Sequence, residues 1–504
     1  MQEKNSAPSF VVHRERKVIH THGVAFSLMR QRSPRKDSPP RDSPGRRRPG
    51  PAVTKRPDRG ARSRLEPGAR GRHDREILRL AVPAFGALVT EPLFLLADSA
   101  IVGRIGTVAL GSLGVASQVL TTLVSISIFL AYGTTAAVAR QLGAGNDRAA
   151  IRQGIDGLWM AAAIGLVVIA VGWPFAPGIV SAFGGSPGVA RGAVVYLRIS
   201  LFGAPSMLLV LAGTGVLRGL QDTRTPLAVA VAANSLNVAL NAVFVLGLRT
   251  GIAGSAWGTV AAQSAGAAVY LAVVARGARR AGVRFRPDLP GLRGAATAAA
   301  ALVVRTLALH AVLVLTTAVA ARQGDVAIAA HQIAARIWTL LAFALDAIAI
   351  AGQVIVGKYL GAGDVEGARA ATRRMVAWAV IYGAIFCVAL LLVRPLVPGL
   401  FAATTPVRGL LLAVLIVVAL QQPFAGVVFV LDGVLIGAGD QRYLAAAGLI
   451  NLAVFLPAAA LVQASHAGLV ALWLAYSLWL AARFATLTLR AKGSRWLVTG
   501  AVRA

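Results

Sequence analysis

The chain has 504 residues and a mass of 52.0 kDa, with 56% hydrophobic residues and only 14% charged ones. Soluble domains are about one quarter charged, so a soluble protein is excluded. The net charge of +31 lies in short clusters between long apolar runs and in the first 75 residues, which hold 20 Lys and Arg against 7 Asp and Glu. That distribution belongs to loops between membrane spans rather than to a nucleic-acid-binding face, so no nucleic-acid partner is expected.

Residues 1–75, with runs such as RQRSPRKDSPPRDSPGRRRPG, are too polar to bury a core and lack the apolar stretch of a signal peptide. They read as a disordered, basic cytoplasmic tail. The Arg clusters suit anionic lipid headgroups; the plainer reading is a dispensable extension, with Met29 a candidate start. The single cysteine, Cys387, allows no intramolecular disulfide and no Cys-rich metal site, and reads as a small buried hydrophobe.

Twelve apolar stretches follow, at residues 78–103, 109–139, 157–177, 190–217, 225–248, 252–274, 297–321, 326–357, 376–396, 405–437, 443–463 and 468–488. Each is near the roughly 20 residues that a helix needs to cross hydrocarbon. The chain is therefore expected to be an all-α polytopic membrane protein. In the first span Asp98 lies seven positions after Glu91, a spacing that returns to within about 20° of the same direction on a helix. Pro92 removes a backbone donor between them and predicts a bend. A carboxyl group at membrane depth is costly unless paired or hydrated, and desolvation penalises its ionised form, which suits reversible proton binding.

The fifth span carries Asn234, Asn237 and Asn241 on one helical face, and the sixth carries Thr259. Such amides coordinate a small cation, accept a bond from a protonated carboxyl, or hold helices together. After an Arg-rich linker at 281–296, the seventh span holds Arg305, the eighth His331, Trp338 and Asp346, and the tenth Asp432. A buried arginine calls for a carboxylate partner. Arg305 is the one basic residue read as deeply placed; Arg198 and Arg336 lie nearer span ends, where long side chains reach the interface. Residues 491–504 read as a cytoplasmic C-terminal tail. With the amino terminus inside, 21 Lys and Arg after residue 75 fall on that side and 6 on the other, so both termini are expected in the cytoplasm.

The sequence repeats itself at an offset of 218. Arg104–Leu110 (RIGTVAL) matches Arg322–Ile328 (RQGDVAI), the LGAGN of 142–146 matches the LGAGD of 360–364, and GVLRGLQDTR at 215–224 matches GVLIGAGDQR at 433–442. Each half holds six spans, an even number, so the lobes (76–280 and 297–490) should share one orientation about a pseudo-two-fold axis along the membrane normal. Asp98, Asn234, Asn237, Asn241 and Thr259 have Thr316, Leu452, Phe455, Ala459 and Ser477 as counterparts. The polar cluster thus belongs to the first half alone. No phosphate-cradling GxxxxGK[ST], no HExxH and no nucleophile–base motif occurs, so neither an enzyme nor an ATP-driven pump is expected, and an ion gradient is the energy source.

These residues make the chain resemble the MATE (multidrug and toxic compound extrusion) family, in its DinF-like branch, over roughly residues 76–490. The resemblance is carried by Leu96–Gly106 (LADSAIVGRIG), the paired LGAG loops, Asn237–Asn241 (NVALN) with Phe244 and Gly247, Val304–Leu309 (VRTLAL), Ala344–Ala347 (ALDA) and Leu431–Gly437 (LDGVLIG). It implies two six-helix bundles around a central cavity and export of amphipathic, often cationic compounds in exchange for H⁺ or Na⁺. By position it makes Asp98 the coupling aspartate, Asn237 its companion amide and Thr259 a nearby hydroxyl. Asn241 stands where many members have a second aspartate. A hard cation favours carboxylate oxygens, so H⁺ is expected over Na⁺, with no bound cofactor or metal. Glu91, Asn234, Arg305, Asp346 and Asp432 are expected at the substrate cavity. The expected setting is a bacterial-type inner membrane, with lipid and small amphipathic molecules as partners and a monomeric protein. A flippase for lipid-linked or polyisoprenoid intermediates is the alternative, and should show several basic residues in its cavity.

Overall fold

In lipid every backbone N–H and C=O must find its partner within the span, and these Ala-, Leu- and Val-rich stretches do so as helices. The computed structural model describes residues 67–184, 186–401 and 403–502; of the disordered tail expected over residues 1–75, residues 1–66 lie outside the described residues, and residues 67–75 are helical, continuous with the first span. The helices are α1 (Pro67–Gly103), α2 (Thr107–Ser127), α3 (Phe129–Gly143), α4 (Asp147–Ser181), α5 (Pro187–Phe202), α6 (Ala204–Gly219), α7 (Arg224–Asn241), α8 (Gly251–Ala281), α9 (Leu289–Arg322), α10 (Asp325–Gly361), α11 (Val365–Val393), α12 (Val397–Leu400), α13 (Thr405–Gly437), α14 (Gln441–Ala464) and α15 (Gly468–Lys492). A π-helical turn, Ala242–Gly247, continues α7. No strand occurs among the described residues.

Eleven helical stretches are long and apolar enough to span a membrane, and α5 with α6, bent by 52° about Gly203, makes the twelfth. All twelve expected spans have their helix. Pro83 and Pro92 both lie inside the uninterrupted α1, so the proline expected to bend this span does not end the helix.

The internal repeat reappears as equivalent packing. A Cβ on Gly215 of α6 would meet the carbonyl of Ala131 in α3, and one on Gly433 of α13 would meet the carbonyl of Ala349 in α10. All four positions are related by the offset of 218, so each half keeps glycine where two backbones touch. The LGAG loops supply the second shared device. Gly145 and Gly363, with φ of 77° and 78°, adopt the left-handed conformation that terminates α3 and α10.

These loops also lie where the halves meet. A Cβ on Gly143 would strike the backbone carbonyl of Lys358, and one on Gly361 that of Arg140, again a pair related by 218. Alongside, Ala84 of α1 packs with Ala347 and Ile350 of α10. At this end burial extends to all sides of two helices: α10 is buried continuously from Ala347 to Val356, and α13 from Ala425 to Gly437, apart from Phe429. The two lobes are therefore closed on each other at the LGAG end.

Backbone cannot rotate away as a side chain can. Gly143→Ala or Gly361→Ala should therefore destabilise the protein by about 1–3 kcal/mol, read as a lower thermal midpoint in detergent. Gly178→Ala, at a position with open space, should leave the midpoint unchanged.

Candidate functional site

Asp98 lies five residues before the end of α1, at the end of the first lobe away from the LGAG loops. Its depth comes from the helices around it rather than from a mid-helix position, and it is 3% exposed. The last turn of α7 and the first turns of α8 converge on it. Its Oδ1 accepts from Asn241 Nδ2 at 2.5 Å and from Ser255 Oγ at 3.1 Å. Asn241 Nδ2 also donates to Asn237 Oδ1 at 2.8 Å. Both asparagines are buried, one helical turn apart on α7.

Two features hold Asn241 in place. The chain passes from α7 into the π-helical turn directly after it, a local widening that is frequent at functional sites. Gly258 of α8 faces it so closely that a Cβ would meet Asn241 Oδ1. That oxygen is enclosed without a hydrogen-bond partner among the described residues. Thr259 donates to the Ser255 carbonyl at 3.0 Å, and the buried Tyr196 of α5 lies beside Asp98, Ser255 and Thr259. Thr259 therefore braces the residues behind Asp98 rather than touching it.

The structure thus brings Asp98, Asn237 and Asn241 together with Thr259 one residue removed. Asn234, a turn earlier on α7, makes no hydrogen bond to the cluster and is half-buried. The side chain of Glu91 lies outside the described residues. The sequence does not single out Ser255, although its i, i+4 relation to Thr259 marks one face of α8. Tyr196 carries no spacing signal at all. No cation pairs with Asp98 among the described residues; its neighbours are amides and hydroxyls. The counterparts in the second lobe have no such company: Thr316 donates to the Val312 carbonyl of its own helix at 2.7 Å, and Leu452, Phe455 and Ala459 are apolar.

The second lobe treats its buried charges differently. Arg305, in the middle of α9, forms an ion pair with Asp432 of α13, which is the carboxylate partner expected for it. Asp432 also receives Arg483 of α15 at 3.5 Å, and the Arg483 guanidinium lies 5.0 Å from the Trp479 ring centre. Asp346 of α10 is half-buried and faces the Tyr132 hydroxyl of α3 at 3.4 Å, longer than an ordinary O–H···O bond. Arg218 and Arg305 are its charged neighbours. Arg305 is not alone in being buried: Arg483, in the middle of α15, and Arg218, one residue before the end of α6, are as buried as Arg305, Arg483 beside Asp432 and Trp479 and Arg218 with Asp346 as its charged neighbour. Arg198 lies 4.6 Å over the Trp173 ring, and Arg336 is exposed. His331 and Trp338 join an aromatic cluster, His331 beside Trp473 and Trp338 beside Tyr476.

A family model described as MatE matches this chain twice, over residues 83–243 and 301–461. The chain is 29% identical to the chloroplastic protein DETOXIFICATION 44 of Arabidopsis thaliana over 83% of its length and 82% of that protein. It is likewise 29% identical to DNA damage-inducible protein F of Escherichia coli K12, over 81% of this chain and 90% of the relative. Its fold is similar to that of a multidrug resistance MATE family transporter of the MOP superfamily solved in an outward-facing conformation. The TM-score is 0.76 at 20% identity, over 84% of this chain and 96% of the other.

Asp432 carries two guanidiniums, so removing it strands both. Asp432→Ala should cost about 3–5 kcal/mol and lower the thermal midpoint in detergent strongly, whereas Arg483→Gln, which leaves the Arg305–Asp432 pair in place, should cost clearly less.

Proposed function

Because this chain belongs to the MatE family of multi-pass membrane transporters, we propose that it is a secondary antiporter that exports amphipathic, often cationic compounds in exchange for protons. The observation that carries the reading is the setting of Asp98, a buried carboxyl that neutral donors hold and no fixed cation balances among the described residues. Contrast with Asp432 makes the point. A carboxylate held by two guanidiniums has its charge compensated permanently, while an unpaired one is relieved by taking up a mobile cation. Asn241 and Ser255 both act on Oδ1, and Oδ2 is left as the atom that receives the proton.

A metal ion is the poorer guest. Asn241 presents its N–H₂ group, not its oxygen, to both Asp98 and Asn237, and the second carboxylate that a hard cation would draw on is absent. In the cycle we propose, protonated Asp98 favours one opening of the lobes and ionised Asp98 attracts cationic substrate in the other. Proton and drug must bind the two states with different affinities, since equal affinity shifts no equilibrium. The chain then performs transport and not catalysis. The positive-inside pattern supports cytoplasmic termini, which puts the closed LGAG end in the cytoplasm and the Asp98 cluster toward the outside.

The flippase reading is favoured by one observation, the three buried arginines Arg218, Arg305 and Arg483. Two of them are held by Asp432, which leaves them less able to meet a pyrophosphate.

In proteoliposomes, efflux of a cationic dye should run on a pH gradient alone, fall at least tenfold in Asp98→Asn, and ignore a Na⁺ gradient. Efflux driven by Na⁺ alone would overturn proton coupling. Asn241→Asp restores the second carboxylate and should confer a dependence on Na⁺ that the natural chain lacks, measured in the same assay.

A further inference from the structure

The segment after α15 does not trail away from the fold. Gly493 is extended, a turn follows in which Leu497 N donates to the Ser494 carbonyl, and Trp496 is 1% exposed with its Nε1 on the Ala491 carbonyl at 3.0 Å. The chain then crosses to the other lobe. Arg140 of α3, itself 3% exposed, donates from Nη2 to the carbonyls of Val498 at 2.7 Å and Gly500 at 3.0 Å, and from Nε to Gly500 at 3.2 Å. Its Nη1 takes the carbonyl of Ala438 at 2.9 Å, at the end of α13. Gly500 N closes the arrangement on the Leu360 carbonyl at 3.0 Å. One guanidinium of the first lobe thus grips the second lobe at three carbonyls.

Beyond these bonds, Ala501 and Val502 form part of the wall of a cavity of about 950 Å³, together with Phe129, Gln153 and Met160 of the first lobe and Tyr443 of the second. The segment covers the junction that the LGAG glycines close.

The opposite terminus makes a corresponding contact. Arg140 and Lys358 are related by the offset of 218, and Lys358 of the second lobe reaches Glu76 at the start of α1 at 3.4 Å. Asp74, two residues earlier, is clamped by Arg374 Nε and Nη2 at 2.6 and 2.7 Å and by Trp378 Nε1 at 2.9 Å, all from α11. The cation at the same repeat position in each lobe therefore takes hold of a terminal segment belonging to the other.

We propose that residues 493–502 are an interlobe latch whose receptor is Arg140, and that this latch must leave Arg140 before the lobes can part at the LGAG end. The ligand of the Arg140 site is the chain's own C-terminal peptide, recognised among the described residues through the backbone carbonyls of Val498 and Gly500. The device sets how readily this end opens and does not depend on which ion drives transport.

The test uses the full chain in lipid nanodiscs, with Cys387→Ser and spin labels at Arg148→Cys and Glu366→Cys. These two positions are exposed, related by 218 and on opposite lobes at this end. With the segment intact, a short interlabel distance should dominate. Deletion of residues 493–504 should raise a longer-distance population several-fold, and a synthetic peptide of residues 493–504 added in excess should return it to the original distribution. Arg140→Gln should reproduce the deletion and should not respond to the peptide. An unchanged distribution in either variant, or a change after deletion that the peptide does not reverse, overturns the latch.

Discussion

An ionised carboxyl away from water is the interaction on which the arrangement of this protein turns. The two lobes share a scaffold but answer that cost in opposite ways. Asp432 is neutralised in place by Arg305 and Arg483, and so serves as a fixed pin between α9, α13 and α15. Among the described residues Asp98 receives the N–H of Asn241 and the O–H of Ser255 and no cation. Its ionised form is thereby tolerated without being fully compensated, which is what a group that alternates between two charge states requires.

The shared scaffold follows from a second constraint, that paired spans must approach closely without side chains between their backbones. Gly215 against Ala131 and Gly433 against Ala349 do this within each lobe, and Gly143 against Lys358 with Gly361 against Arg140 do it between lobes. Small residues at such contacts let van der Waals packing replace the hydrophobic effect, which is weak between helices in lipid. Duplication preserved these backbone contacts and left the interior of each lobe free to diverge. The glycines that make the backbone contacts match at an offset of 218, whereas the residues around Asp98 and those of the Arg305–Asp432–Arg483 group do not.

Much of this was legible in the sequence because its physics is local. The twelve spans follow from apolar length, the two lobes from the repeated loops, and the common face of Asn237 and Asn241 from their spacing, while their meeting with Asp98 was an implication of the family resemblance. What escaped depends on tertiary placement. That Asp432 is the partner of Arg305, or that Ser255 is a ligand of Asp98, requires knowing which helices are neighbours. The burial of Arg218 and Arg483 depends on which helices face them, and distance to a span end does not give that. The fourth span gave no sign of its break at Gly203, and a C-terminal segment of ordinary polarity gave no sign that its carbonyls are held by Arg140.

The central claim is that Asp98 carries the proton that substrate displaces. The most direct measurement is proton release from detergent-solubilised protein in weakly buffered solution when a cationic substrate is added. The natural chain should release protons, approaching one per bound substrate at a pH where Asp98 is protonated, and Asp98→Asn should release none although it still binds the compound. Equal proton release from both proteins would contradict the claim.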